Sequence, residues 1–115
     1  MESAKLCIVL PPERRDEVVT MLRSLIGPVG VSTGCLKCRL FQDLVDENRV
    51  CWEEEWRTRE DLYRHIASTR YRQIMAALDM ASAKPEVRFE HVSESLGMEL
   101  IASVRSDPNS AISDL

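Results

Sequence analysis

Aromatic side chains are few: two Trp, two Tyr and two Phe among 115 residues, 5% of the chain. Two indoles on one strand would therefore be major components of any core. An excess of positive charge is also lacking. The net charge of −4 and pI near 5.2 argue against a nucleic-acid footprint. No apolar run approaches the length of a membrane span, and the first residues, MESAKLCIVL, lack the basic region and cleavage site of a secretion signal. These absences lead to the expectation of a soluble, cytoplasmic protein. Neither an internal repeat nor a linker is visible.

Metal-ligand spacing is missing as well. The four cysteines are Cys7, Cys35, Cys38 and Cys51, and without a secretion signal they are expected to be reduced thiols. Cys35 and Cys38 spell a CxxC, but no second CxxC and no His pair follows. In the strand pattern GCLKCRLF, positions three apart point to opposite faces. Both are read as ordinary strand cysteines with no metal between them.

What is present suits one domain of about the usual size, expected over residues 1–105 with a frayed polar tail over 106–115. Its most informative stretch is VCWEEEWRTREDLYRHIASTRY, Val50 to Tyr71. Val50, Trp52, Glu54 and Trp56 share one side at period two, with Cys51, Glu53 and Glu55 on the other. Thr58, three residues before Asp61, forms a near capping box for a helix that carries Leu62, His65 and Ile66 on one side. Two indoles, a carboxylate and an imidazole can thus converge where strand meets helix.

Around that stretch the periodicity predicts a first strand over Ala4 to Leu10, with Leu6, Ile8 and Leu10 on one face and Cys7 and Val9 on the other. A helix opens at Pro11-Pro12, carries Val18, Leu22, Leu25 and Ile26, and is expected to stop at Gly27-Pro28. Val29 to Gly34 reads as a loop. A second strand from Cys35 to Val45 and a third from Arg49 to Arg57 form a hairpin. Its expected register sets Arg39 opposite Glu55, Cys38 by Trp56 and Gln42 by Trp52, within a residue or two. Ser68-Thr69 can cap a second helical piece bearing Tyr71, Ile74, Met75 and Leu78. Pro85 starts a strand with Val87, Phe89 and His91 on one face and Arg88 and Glu90 on the other, and Met98 to Val104 is expected to be a further short strand.

The order β-α-β-β-α-β is the α+β, ferredoxin-like arrangement: one antiparallel sheet with its helices on one face. The other face, with Cys7, Val9 and Phe41 among charges, is left bare. A homodimer through that face is the expected solution, with the last strand crossing to the partner.

This order, with the acid-x-Trp strand end (Glu54, Trp56), the capped helix bearing Leu62 and His65, Ser68, the aromatic Tyr71 and the closing EVRFEHVSES and GMELI, resembles the antibiotic biosynthesis monooxygenase family of dimeric α/β barrels. The resemblance covers residues 5–105. It implies a monooxygenase of a small phenol or quinol that uses O2 without metal or flavin, and so no cofactor. A deprotonated phenol or quinol can itself reduce O2, so the protein needs a dry pocket and a proton acceptor. In that reading Trp52, Trp56 and Tyr71 flank the ring, His65 or Glu54 takes the proton, and Arg88 faces either ligand or dimer interface.

The residues themselves leave two classes open. Trp52 and Trp56 serve equally as core and as pocket wall. His65 is either a base or a structural tie to Glu54, and His91 is read as structural. The alternative to the oxygenase is a non-catalytic dimeric domain that binds a small aromatic ligand.

Overall fold

Alternating side chains in the strands and 3.6-residue periodicity in the helices sort the apolar residues onto one shared layer. The computed structural model describes residues 1–106, which run β1 (Glu2–Val9), α1 (Pro12–Gly30), β2 (Cys35–Gln42), β3 (Arg49–Trp56), α2 (Arg59–Ile66), α3 (Tyr71–Asp79), β4 (Glu86–His91) and α4 (Met98–Ser106). The strands form one antiparallel sheet in the order β2-β3-β1-β4. This is the ferredoxin-like α+β fold expected from the sequence. The expected tail beyond Ser106 lies outside the described residues.

The core lies between the sheet and α1–α3. Ala4, Leu6 and Ile8 of β1 and Val50, Trp52 and Trp56 of β3 meet Val18, Leu22, Leu25 and Val29 of α1, Leu62 of α2, and Ile74 and Ala77 of α3. Their removal from water is the main favourable contribution to this fold.

Three elements differ from the sequence expectation. First, α1 does not stop at Gly27-Pro28 but continues to Gly30 with Pro28 inside it. Val29 is wholly buried, so the last turn is kept by what it packs against, overriding the local stop signal. Second, the segment from Met98 is helix α4, not a strand. Met98, Leu100 and Val104 fit a period of two, while Met98 with Ile101 and Leu100 with Val104 fit the helical one, and Met, Glu, Leu and Ala favour helix. The Glu99 carboxylate also accepts the Gly97 N–H at 2.7 Å where the helix begins. Third, β2 ends at Gln42, and the hairpin register is shifted by two. Arg39 stands opposite Glu53, Lys37 opposite Glu55, Cys38 opposite Glu54 and Leu40 opposite Trp52. A two-residue slip preserves every side chain's face, and the basic strand still offsets Glu53 and Glu55, with Lys37 and Glu55 3.6 Å apart.

The cysteines also depart from expectation. Cys7 and Cys51 face each other across β1 and β3 with their Cα atoms 4.1 Å apart, and they form a disulfide on the outer face of the sheet. The strand period puts both on that face, but only the β1–β3 register makes them partners. A bulge between Cys35 and Lys37 reverses the alternation in β2, so Cys35 pairs with Trp56 and Cys38 with Glu54. Both free cysteines therefore face the helices rather than opposite sides.

Candidate functional site

The period of β3 delivers Trp52, Glu54 and Trp56 together to the helix side of the sheet, and all three are buried. Glu54 is only 2% exposed. A carboxylate so placed needs hydrogen bonds to remain charged, and it receives three. The Trp52 indole N–H donates to Oε2 at 2.7 Å and the Trp56 indole N–H to Oε1 at 2.9 Å. His65 Nε2 lies 2.7 Å from Oε2.

The helix that brings His65 there is started by Thr58. Its hydroxyl oxygen accepts the Asp61 N–H at 3.1 Å and its O–H donates to the Asp61 carboxylate at 2.9 Å. With that start fixed, His65 falls on the buried side beside Leu62. Gly34 lets this corner close. It has φ +82°, and a side chain there would run into the Asp61 carboxylate. Beyond α2, Ser68 donates to the His65 carbonyl at 2.6 Å and accepts the Tyr71 N–H at 3.3 Å. The turn so formed lays Tyr71 on the imidazole. The three rings stack in sequence, with Trp56 and His65 centroids 4.7 Å apart and His65 and Tyr71 centroids 5.1 Å apart.

Burial alone would raise the Glu54 pKa, but the hydrogen bonds from His65, Trp52 and Trp56 outweigh it, and the net shift is downward. Glu54 is thus a carboxylate that only accepts. His65 Nε2 must carry the hydrogen between them, which leaves Nδ1 as the basic atom of the neutral ring. The Tyr71 hydroxyl is pushed up to about 12, first by burial and then by the Glu54 charge. Burial, Glu54 and Cys35 likewise push the Cys38 thiol up to about 12, so it stays protonated and is a poor nucleophile or metal ligand. Among the described residues no group of three His, Cys, Asp or Glu is arranged to hold a metal ion.

Two spaces adjoin these residues. Beneath Trp52, between the sheet and α3, the free volume is about 10 Å³, at the lower limit for one water; Trp52 fills the interior here. On the other side of Trp56 and His65 lies an open groove of about 230 Å³, bounded by Ser32 and Thr33 before β2 and by Asp61, Arg64, Ser68 and Arg70 around α2.

Of the residues singled out from the sequence, Trp52, Glu54, Trp56, His65 and Tyr71 come together. Arg88 does not. It sits opposite Lys5 on the outer face, in a cleft with Cys7, Arg49 and Glu86. His91, read as structural, has Nδ1 2.8 Å from the Glu2 carboxylate at the sheet's edge. The groove residues Thr33, Arg64 and Arg70 carried no sequence signal. They are exposed residues of short connections and a helix surface, assembled only by the fold.

The sequence matches the family described as antibiotic biosynthesis monooxygenase over residues 8–77. No curated relative matches it. Among solved structures, the chain resembles one described as an antibiotic biosynthesis monooxygenase, with 23% identity and a TM-score of 0.72 over 82% of this chain and 100% of the other. It also resembles a protein of Deinococcus radiodurans, with 16% identity and a TM-score of 0.76 over 84% and 97% of the two chains. Rv0793 from Mycobacterium tuberculosis matches with 18% identity and a TM-score of 0.74 over 84% and 98%. At these identities the structural likeness speaks for the fold. The sequence match spans more than half of the chain, includes the strand and helix that carry Glu54, Trp56 and His65, and places the chain in the antibiotic biosynthesis monooxygenase family.

Proposed function

We propose that this protein is a monooxygenase of a small phenol or quinol, with His65 as the base that deprotonates the substrate. One observation carries the reading. The Glu54–His65 pair ties up Nε2 and fixes the tautomer, and His65 is among the residues lining a groove large enough for a ring. A carboxylate that orients a histidine and stabilises its protonated form is the logic of the hydrolytic triads, applied here to a phenolic proton. Removal of that proton makes the ring electron-rich enough to pass an electron to O2. In the overall reaction one oxygen atom enters the ring carbon, the other leaves as water, and a phenol becomes a quinone. Trp56 and Tyr71 brace the imidazole rather than sandwich the substrate, and Trp52 acts through Glu54. No step calls on Arg88.

The test is oxygen uptake with a panel of quinols and phenols, with anaerobic and protein-free controls because such compounds autoxidise. Saturable uptake that requires His65 supports the proposal; uptake no faster than the protein-free control overturns it.

A second reading, a non-catalytic domain that binds a small aromatic ligand, draws on the filled interior beneath Trp52. It predicts ligand binding in the groove with no oxygen uptake.

We also infer a homodimer through the outer face of the sheet. There Phe41 is 44% exposed, beside the basic Lys37 and Arg39 of β2 and across the sheet from Glu86, Arg88 and Glu90 of β4, which together carry a net negative charge. A two-fold axis that sets β2 of one copy over β4 of the other pairs opposite charges.

A further inference from the structure

The groove over His65 has a charge character unlike that of the whole chain. The protein carries −4 overall, yet the groove's rim holds two arginines and a single carboxylate. That carboxylate is already matched, since Asp61 accepts from Arg64 at 2.8 Å and from the Thr58 hydroxyl. Arg70 is left without a carboxylate in ion-pair reach among the described residues. The serines add little donor capacity, because Ser32 donates to the Pro28 carbonyl and Ser68 to the His65 carbonyl. Arg70 is therefore the groove's available cation, and it lines the same groove as His65.

Size is compatible with an aromatic ligand. A cavity of about 150 Å³ takes up one benzene molecule. At about 230 Å³ the open groove has room for a substituted aromatic ring.

We propose that the groove takes a hydroxyaromatic acid, its hydroxyl directed to His65 and its carboxylate to Arg70. This rests on the oxygenase reading for the identity of the ring, and it adds the anionic group as the feature that selects the substrate. A guanidinium suits a planar carboxylate because two N–H groups can donate in parallel.

The test is anaerobic titration calorimetry of a dihydroxybenzoate and its methyl ester against the native protein and Arg70→Gln. The ester keeps ring and hydroxyls and removes only the charge. The expected result is that the acid binds about fivefold more tightly than the ester, the scale of an ion pair at a partly exposed rim. Added salt narrows that gap, and Arg70→Gln closes it. Equal affinities in the native protein, a preference that survives Arg70→Gln, or no binding of either compound at millimolar concentration overturns the proposal. The two readings fail separately. Arg70-dependent binding without oxygen uptake defeats the oxygenase alone, whereas turnover of neutral quinols without any preference for the acid defeats only this inference.

Discussion

Glu54 Oε2 and His65 Nε2 are 2.7 Å apart, and neither residue is more than 6% exposed. The contact joins the middle of the sheet to α2 through a charged group, where an apolar pair would have served packing alone. Trp52 and Trp56 complete it, so the two largest side chains of the core are also hydrogen-bond donors to the buried Glu54 carboxylate. Every buried side-chain nitrogen or oxygen among the described residues has a partner, as a folded interior requires.

Glu54→Gln is expected to destabilise the protein by about 3 kcal/mol, because an amide must turn a donor toward at least one of three donors. Denaturant midpoints measure it. The native protein's stability should also depend on pH in acid. Glu54 has a lower pKa folded than unfolded, so its contribution is complete above the ordinary Glu value of about 4.3 and is lost as pH falls through the lower folded value. Glu54→Gln should lack that part of the acid dependence; an unchanged acid limb would show that the carboxylate is not held in its charged form.

His65→Gln is expected to keep an N–H donor for Glu54 and so to retain most of the stability, while removing the base. Turnover should fall by about 100-fold or more, the usual scale of general base catalysis. If thermal stability drops and turnover does not, His65 is a structural tie.

The facing positions of Cys7 and Cys51 give a thiol count. Unreduced, denatured protein should show two reactive thiols, Cys35 and Cys38, and reduction should raise the number to four. Four thiols before reduction would mean that the pair is open.

The uncovered outer face of the sheet gives an association state. Sedimentation at micromolar concentration should return twice the chain mass, and Phe41→Glu, which adds a charge to that face, should shift the protein toward monomer. A native monomer would contradict the homodimer.

Much of the site could be read from the sequence because it rests on local rules. Period two in β3 put Glu54 with Trp52 and Trp56, and Thr58 with Asp61 fixed where α2 begins, which placed His65. What could not be read depended on distant pairing. The β1–β3 register that joins Cys7 to Cys51, the bulge that turns Cys35 inward, and the burial of Val29 that carries α1 past Pro28 are each settled by residues far away in the chain. The Met98 segment was ambiguous for a different reason: a short apolar run fits both periods, and helix propensity decided. Arg70 gave no signal, since an exposed arginine before a helix is ordinary until Trp56 and His65 are seen beside it.

The most direct test of the oxygenase is to run the reaction under isotopically labelled O2 and weigh the organic product. The expected result is one labelled oxygen atom per product molecule, the other in water, with formation abolished in the absence of protein and strongly reduced in His65→Gln. A product without label, or label incorporated equally in the protein-free control, would contradict the oxygenase.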